Sequence, residues 1–359
     1  WKEFRGASFV LPRFQLVQKG STSWITGNLL LGPNDDLQTA CRELSEEWSE
    51  LVRIAESGLI EPGRGTEEEK ARQSMAGQLP PADDGTEVWL SSIRQALQEI
   101  ERGTIEKIVL ARQVELPPAH AHALPGLLAY LEERFPHCMI FAMQRGRNIF
   151  VGASPELLAS VRGNLVRTMC LAGSAPRGSD PQQDDALSRK LLSDEKELAE
   201  HRFVVHMLTQ ELSALCRNVK CGDEPELLNL DNVQHLYTPI EGELVSRNLS
   251  ILDIIEKLHP TPAVGGTPKQ TALEKIRQWE PFERGWYAGP IGWLNAQGGG
   301  EFAVAIRSAL IHRKGTALFS GCGIVSGSLP EQELHESQLK LRPMLEAITH
   351  VLADRRSES

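Results

Sequence analysis

The chain has 359 residues, of which 41% are hydrophobic and 24% are charged, and these are the proportions of a globular protein that buries its own core. No segment approaches the ~18 consecutive apolar residues that a membrane-spanning helix needs, so we expect no membrane partner. The formal net charge is −10 without a cluster of Lys and Arg, which argues against nucleic acid as a partner because phosphate binding requires concentrated positive charge.

The sequence begins with Trp1 and shows no basic segment followed by an apolar one, so we expect no targeting peptide. Its six cysteines are spread along the chain without a CxxC pair. A chain of this length does not need disulfides to stabilise its core. We therefore expect reduced thiols in a cytoplasmic protein.

The N-terminal part is predicted to contain strands followed by helices. Apolar and polar residues alternate at Phe9–Leu11 and Trp24–Leu31, which predicts two short strands. Helical spacing of apolar residues predicts helices over 37–56 and 86–103. The intervening residues 57–84 are rich in Gly, Pro, Glu and Asp, which is typical of a surface loop.

From residue 107 the pattern is a mixture of strands and helices. A strand over Lys107–Leu116 and a helix over 124–135 precede a β-meander whose hairpin turns fall at 145–147 and 163–164. A long helix is predicted over 181–217. The strands of the meander are predicted at Met139–Gln144, Ile149–Gly152, Leu157–Val161 and Leu165–Leu171.

The C-terminal third is predicted to begin with two strands, around His235 and Ile240. Two helices follow, one from Thr267 and one from Ser250, where Ser250 and Asp253 have the spacing of a capping box. A hairpin over 301–312 and 317–323 then leads into a helix over 328–352. The complete pattern predicts an α+β fold with extensive antiparallel sheet.

Two pairs of glutamates occur at helical spacing. Glu197 and Glu200 in the long helix, like Glu333 and Glu336 in the last helix, are three residues apart, so each pair faces one direction. Two such helices facing each other could hold a hard divalent cation with oxygen ligands. Either pair alone is more often a solvated helix face than a metal site.

Other candidate features are individually weaker. Three strand ends contain glycine, at Gly152–Glu156, Leu171–Ser174 and Gly321–Ile324, where backbone N–H groups could approach an anion, although such segments are more often plain turns. Arg307 lies within a predicted apolar strand, where its guanidinium needs a partner such as a substrate carboxylate. Lys107 taken alone is most simply a lysine on an edge strand.

Taken together, these segments resemble the chorismate-utilising enzymes, a family of isochorismate synthases, salicylate synthases and the large subunits of anthranilate and aminodeoxychorismate synthases. The resemblance covers about 104–352, and its motifs occur in the family's order. They are Lys107–Arg112, Ala153–Glu156, Leu171–Ser174, Glu197–His201, Val233–Leu236, His259–Gly266, Trp286–Gly289, Ala305–Ser308, Gly321–Ile324 and Pro330–Glu336.

The resemblance implies a fold as well as a chemistry. Antiparallel β-sheets would pack at the centre of one structural domain, with helices outside and the active site in a cleft between its two halves. Residues 104–352 would form the chorismate-binding catalytic region. Residues 1–100 would supply N-terminal strands and helices that complete the sheet, in a segment that is short compared with the family.

Members of the family divide by the nucleophile that they add to chorismate. Ammonia users lack a lysine where Lys107 stands, and aminodeoxychorismate synthases carry a nucleophilic lysine where Ala172 stands. The combination in this chain resembles that of the water users. It implies an isochorismate synthase, an isomerase in which Lys107 deprotonates the water that attacks C2 and Glu156 protonates the leaving C4 hydroxyl.

The resemblance also implies the ligands. Mg²⁺ would lie between the ring carboxylate of chorismate and Glu200 and Glu336, with Glu197 and Glu333 acting directly or through water. No amidotransferase subunit is expected, and a monomer is predicted. The implied substrate-binding residues are Gly173, Ser174, His235, Ala263, Tyr287, Arg307, Gly321, Gly323 and Lys340.

Two alternatives stay open. Salicylate synthases share nearly all of these residues and then eliminate pyruvate, but they tend to carry Thr in the His259–Gly266 segment where synthases carry Ala, and Ala263 favours the synthase. A domain that binds chorismate without converting it would lack Lys107, Glu156 or the glutamate pairs, which are all present. The isochorismate product is expected to enter menaquinone, phylloquinone or siderophore biosynthesis.

Overall fold

The computed structural model describes residues 1–56, 85–116, 124–230 and 232–353. Residue contacts divide the chain into two compact units, one of Phe4–Glu67 and one of Trp1–Glu3 with Glu68–Ser359. The surface loop predicted over 57–84 lies outside the described residues. The prediction of one structural domain stays a prediction.

The smaller unit contains a β-hairpin and a helix. Strands β1 (Phe14–Lys19) and β2 (Thr22–Gly27) pair antiparallel, and helix α1 (Leu37–Glu56) has its predicted bounds. Phe9–Leu11 is not a strand, and Pro12 directly after it has no N–H to donate to a sheet.

The larger unit alternates strands and helices, with β3 at its predicted bounds. Its strands are β3 (Lys107–Leu116), β4 (Met139–Arg145), β5 (Asn148–Ser154), β6 (Leu157–Arg162), β7 (Leu165–Pro176), β8 (Cys216–Cys221), β9 (Glu226–Asn229), β10 (Val233–Leu244), β11 (Gly266–Thr267), β12 (Pro290–Leu294), β13 (Gly300–Val304), β14 (Ser308–His312) and β15 (Gly315–Ile324). Its helices are α2 (Thr86–Glu101), α3 (Leu124–Arg134), α4 (Pro181–Ser193), α5 (Glu195–Ser213), α6 (Ile251–Leu258), α7 (Lys269–Trp279) and α8 (Pro330–Ala353).

These strands form two sheets. The seven-stranded sheet has the order β12-β13-β6-β7-β10-β8, with β9 also paired to β10, and the six-stranded sheet has the order β11-β3-β15-β14-β5-β4. Every pairing among the described strands is antiparallel. The predicted α+β class with antiparallel sheets is therefore confirmed.

The long helix predicted over 181–217 was wrong, because it is two helices. Asp194 separates α4 from α5 with an extended backbone (φ −75°, ψ 111°). Its carboxylate accepts hydrogen bonds from the backbone N–H groups of Lys196 and Glu197, so it caps the second helix. The break gives α5 a direction of its own.

The strand predicted over 301–312 was also wrong. β13 belongs to the seven-stranded sheet and β14 to the six-stranded sheet, and residues 305–307 cross between the two. Arg307 therefore lies between strands, with φ 51°, a value that few residues other than glycine adopt. An apolar run that resembles one strand thus serves both sheets.

Of two further predictions, the pair of strands near His235 was wrong and the capping box at Ser250 was correct. The two strands expected around His235 and Ile240 are the single strand β10, whose register against β7 shifts between His235 and Tyr237. The capping box at Ser250 and Asp253 is confirmed: the Asp253 carboxylate accepts from the Ser250 N–H, and Ser250 Oγ accepts from the N–H of Leu252.

Buried apolar residues hold α2, α3, α7 and α8 against the six-stranded sheet, in two clusters. None of the helices in the described ranges is long and apolar enough to cross a membrane. All six cysteines lie in those ranges, and each is a free thiol.

Candidate active site

A cleft in the larger unit is lined by all the residues that the sequence suggested for the site. Both sheets contribute to its wall, through β3 and β15 on one side and β7 and β10 on the other, and α5 and α8 add the glutamates. These residues are Lys107, Glu156, Gly173, Ser174, Glu197, Glu200, His235, Ala263, Tyr287, Arg307, Gly321, Gly323, Glu333, Glu336 and Lys340.

The two glutamate pairs face each other across the cleft. Lys196 Nζ lies 3.9 Å from Glu197 Oε1 on its own helix and 3.9 Å from Glu333 Oε1 on α8, so one ammonium reaches both pairs. The backbone N–H of Ser174 donates to Glu197 Oε2 at 3.2 Å. Helical spacing puts each pair on one face of its helix, and the packing of α5 and α8 brings the two faces together.

Crowding and burial disfavour the charged form of two of these carboxylates, Glu197 and Glu333. Burial raises the pKa of Glu333 to about 7, and the neighbouring Glu336 adds to the shift. Burial also raises the pKa of Glu197, with Glu200 and Glu336 contributing. A divalent cation would relieve this repulsion, and a set of carboxylate oxygens suits a hard ion such as Mg²⁺.

Cys322 lies beside this group but does not fit a hard cation. Its sulfur and one oxygen each of Glu333 and Glu336 lie within 4.8 Å of one another. Burial raises the pKa of the thiol well above its usual range, and the S–H donates to the Glu333 carbonyl oxygen at 3.3 Å. A neutral thiol is a poor ligand for Mg²⁺, so the glutamates are the candidate donors.

Lys107 is buried at the cleft wall, with 3% of its surface exposed. Its Nζ lies 2.7 Å from Glu200 Oε1. Burial would raise the pKa of Glu200, but Lys107 holds it below its usual value. Because β3 runs between β11 and β15, Lys107 is not on an edge strand.

Glu156 lies in the short connection between β5 and β6, where the chain passes from one sheet to the other. Ser154 Oγ accepts from the Glu156 N–H at 3.2 Å and donates to the Val304 carbonyl at 2.6 Å, which fixes this connection. Burial raises the pKa of Glu156 to about 7 although Lys107, Lys340 and Arg307 each lower it. In a substantial fraction of the molecules the Glu156 carboxyl is therefore protonated at neutral pH.

Arg307 and His235 are buried and form a hydrogen-bonded row with the half-buried Ser174. Arg307 Nη2 lies 3.2 Å from His235 Nε2, and since a guanidinium only donates, Nε2 is the acceptor and Nδ1–H donates to Ser174 Oγ at 2.9 Å. Burial and Arg307 hold the pKa of His235 well below its usual range. Arg307 Nη1 is buried without a hydrogen-bond partner among the described residues, so it is available to donate to an anion.

Two glycines of β15 allow the cleft walls to approach closely. A Cβ at Gly323 would lie 3.1 Å from both Glu200 Oε1 and Lys107 Cε, and one at Gly321 would lie 2.9 Å from the Leu110 carbonyl. Lys340 Nζ lies 2.5 Å from Glu336 Oε1 and donates to the Gly321 carbonyl at 3.3 Å. A side chain at either glycine would displace these groups.

Tyr287 and Ala263 approach the cleft from separate loops. The ring of Tyr287 stacks on Phe319, with 5.2 Å between centroids, and burial raises the pKa of the phenol to about 12. Ala263 lies in the connection between α6 and β11. Arg284, which does not line the cleft, contacts both loops: its Nη1 donates to the Val264 carbonyl, and its carbonyl accepts from the Tyr287 N–H.

Several residues that shape this site were not predicted as site residues from the sequence. Lys196 directly precedes the first glutamate of its pair, and His201 directly follows the second. His201 Nδ1 lies 2.9 Å from the Ala172 carbonyl, and its Nε2 lies 2.8 Å from Thr238 Oγ1, so it ties α5 to β7 and β10. Glu280 and Arg284 follow the end of α7 at Trp279, so the i, i+4 rule for helix faces does not single out that pair.

Comparison with known proteins gives consistent matches. The family described as chorismate binding enzyme matches residues 1–349. The isochorismate synthase MenF of Bacillus subtilis (strain 168) is 38% identical over 348 residues, which are 97% of this chain and 71% of that protein. The salicylate biosynthesis isochorismate synthase of Pseudomonas aeruginosa is 34% identical over 351 residues, which are 98% of this chain and 71% of that protein.

The solved structures agree. The menaquinone-specific isochorismate synthase MenF from Escherichia coli has a TM-score of 0.79 to this chain at 30% sequence identity. The match covers 94% of this chain and 75% of that one.

Proposed function

The chain belongs to the chorismate-binding enzymes, and from this membership we propose that it is an isochorismate synthase, an isomerase that adds water to C2 of chorismate and expels the C4 hydroxyl. The observation that carries the proposal is the meeting of Lys107, Glu156 and Arg307 in one cleft. Ala172 lines the same cleft without an amine that could attack the substrate. The two relatives described above are isochorismate synthases by name.

The proposed substrate carries two carboxylates, and the cleft offers two kinds of partner for them. Arg307 Nη1 is a buried donor without a partner among the described residues, which suits the enolpyruvyl carboxylate. Tyr287 and the backbone at Gly321 and Gly323 line the same region. Gly173 and Ser174 lie beside the glutamates, where we place the ring carboxylate.

In the proposed reaction Lys107 is the base. Its neutral amine takes a proton from water as the oxygen forms a bond to C2, the ring double bonds shift, and the C4–O bond breaks. Glu156 gives its proton to the departing oxygen, which leaves as water. Burial holds the pKa of Glu156 at about 7, so a protonated carboxyl is available for this step at neutral pH.

We propose that Glu200 and Glu336 hold Mg²⁺, with Glu197 and Glu333 binding it directly or orienting its water ligands. When bound, the ion would neutralise the crowded carboxylates and attract the ring carboxylate of the substrate. A Glu200 carboxylate bound to Mg²⁺ would interact less strongly with Lys107, and the lysine amine would be released from its ion pair.

The setting of the enzyme is also part of the proposal. We propose that it acts in the cytoplasm as a monomer, without an amidotransferase subunit, because water and not ammonia is the nucleophile. Menaquinone biosynthesis is the pathway we favour, since one of the similar solved structures is a menaquinone-specific synthase.

Product analysis tests the function directly. The purified protein is incubated with chorismate in the presence of Mg²⁺ or EDTA, without ammonium, and the products are separated by chromatography. Isochorismate formed only with Mg²⁺ supports the proposal. Salicylate with pyruvate would assign the chain to the salicylate synthases instead, and unchanged chorismate in both reactions would identify a binding protein or a missing partner.

A further inference from the structure

Glu280 and Arg284 form an ion pair behind the cleft. Arg284 Nη2 lies 2.5 Å from Glu280 Oε1, and Arg284 Nε lies 2.8 Å from Glu280 Oε2. The Glu280 side chain is 4% exposed and that of Arg284 is 17% exposed. A buried pair of this kind is retained only where its remaining donors and acceptors are satisfied, so its other contacts indicate what it holds.

The first contact is with the strand that carries Lys107. Glu280 Oε1 accepts from the Ala111 N–H at 2.7 Å, and Arg284 Nη2 donates to the Val109 carbonyl at 2.7 Å. Strand β11 pairs with this side of β3 only at Lys107 and Ile108. The two side chains therefore continue the hydrogen bonding of β3 beyond the end of β11.

The second and third contacts are with the loops that carry Ala263 and Tyr287. Arg284 Nη1 donates to the Val264 carbonyl at 2.9 Å. The Arg284 carbonyl accepts from the Tyr287 N–H at 2.9 Å. This last bond is a backbone turn, so Arg284 belongs to the same segment as Tyr287. The Arg284 side chain therefore connects that segment to β3 and to the loop of Ala263, and Arg284 does not line the cleft.

We propose that Glu280 and Arg284 are positioning residues that hold Lys107, Ala263 and Tyr287 in register with one another and thereby determine how tightly the substrate binds. This inference rests on the proposed function. The planar guanidinium can bond the carboxylate and two carbonyls at once, because its donors point in fixed and different directions. A lysine ammonium at the same place keeps the charge but cannot span the three acceptors.

Arg284→Lys and Glu280→Gln test the proposal, compared with Glu99→Gln. Arg284→Lys is expected to lower kcat/KM for chorismate by roughly 10- to 100-fold, mainly through a higher KM, since misplacing binding groups by about 1 Å has effects of this size. Glu280→Gln should have a smaller effect, because its amide oxygen can still accept from Ala111. Glu99→Gln breaks a partly buried ion pair with Lys275 that lies outside the cleft lining, and KM should stay within about twofold.

Amide hydrogen exchange provides a readout that does not depend on turnover. Arg284→Lys should accelerate exchange in 105–112, 261–266 and 284–289 together, whereas Glu99→Gln should leave all three unchanged. An unchanged KM, or faster exchange confined to the residues around 284, would overturn the proposal. If Arg284→Lys does not fold, Glu280→Gln is judged by the same two criteria.

The two proposals fail in different ways. A wild-type protein that forms no isochorismate would refute the proposed function, while coupled exchange of the three segments would still show that Arg284 joins them. A wild-type protein that is active, with variants of unchanged KM, would refute the positioning role alone.

Discussion

Lys107 and Glu200 form a buried ion pair that joins β3 to α5, with 2.7 Å between Lys107 Nζ and Glu200 Oε1. In the proposed enzyme one partner is the base and the other is a ligand of Mg²⁺. The same carboxylate therefore stabilises either the lysine or the metal ion. Removing the lysine should affect the folded state and the reaction together.

Lys107→Met is expected to lower kcat by about 10²- to 10⁴-fold, because it removes the proposed base. It also leaves Glu200 buried without its ammonium, which should lower the free energy of unfolding by about 3 kcal/mol in EDTA and by less in Mg²⁺. Chemical denaturation under the two conditions measures the difference. Lys220→Met, on an exposed part of β8, is the control, and equal destabilisation with and without Mg²⁺ would contradict the sharing of Glu200.

Glu156→Gln should reduce kcat by about 10²- to 10⁴-fold, because an amide cannot donate a proton to the leaving hydroxyl. In the wild-type enzyme the acid form is lost as pH rises through about 7. The wild-type rate should therefore fall on the alkaline side of that pH. A rate that keeps rising above pH 8 would argue against Glu156 as the acid.

Glu156→Gln should lower activity but raise the stability of the folded protein at alkaline pH. The pKa of Glu156 is raised in the folded protein from 4.5 to about 7, so its stabilising protonation is complete below 4.5 and lost as pH rises through about 7. Relative to wild type, Glu156→Gln should be more stable at pH 8 by up to about 3 kcal/mol. Denaturation at pH 5 and pH 8 measures the gain, which should shrink at the lower pH.

Mg²⁺ should raise the unfolding temperature of the wild-type protein. A ligand present at 100 times its Kd adds about 2.7 kcal/mol to the folded state. The double variant Glu200→Gln with Glu336→Gln should lose this response. Glu331 is exposed and lies in the first turn of α8, the helix that carries Glu336, so the Glu331→Gln variant should retain the response. Calorimetry with Mg²⁺ and with EDTA gives the comparison, and an undiminished response in the double variant would place the metal elsewhere.

Asp194→Ala should lower the free energy of unfolding by about 1 kcal/mol, because it removes the cap of α5. The first turn of that helix carries Glu197, so Mg²⁺ affinity should fall as well. Asp194→Asn keeps the capping oxygen and should restore most of the stability. Denaturation and calorimetric titration with Mg²⁺ measure both effects, and an alanine variant with unchanged Mg²⁺ affinity would separate the cap from the metal site.

The same aspartate shows where prediction from sequence stopped. The apolar spacing continues through 181–217, and a cap in the middle of a periodic segment leaves that spacing intact. Where local signals agreed, as in β3 and at the Ser250 cap, the bounds were predicted correctly. A helix break that depends on one side chain accepting hydrogen bonds from the backbone, as at Asp194, was not predicted.

The sequence predicted which residues line the cleft, but it did not predict how they contact one another. The motifs identified which glutamates to consider, but their mutual facing depends on the packing of α5 and α8 against different sheets. Lys196, between the two pairs, was not selected because an exposed-looking lysine on a helix carries no signal of its own. Glu280 and Arg284 act through backbone groups of other segments, which no local pattern records.

The crossover between the sheets restricts how this site can diversify. Arg307 combines a positive φ with a buried side chain, and β-branched or bulky residues are strained in that conformation. A descendant that exchanged the guanidinium for another recognition group would therefore have to satisfy the backbone first, which leaves chiefly glycine and asparagine. New substrate preferences should arise more readily at positions such as Ala263, where the backbone sets no such condition.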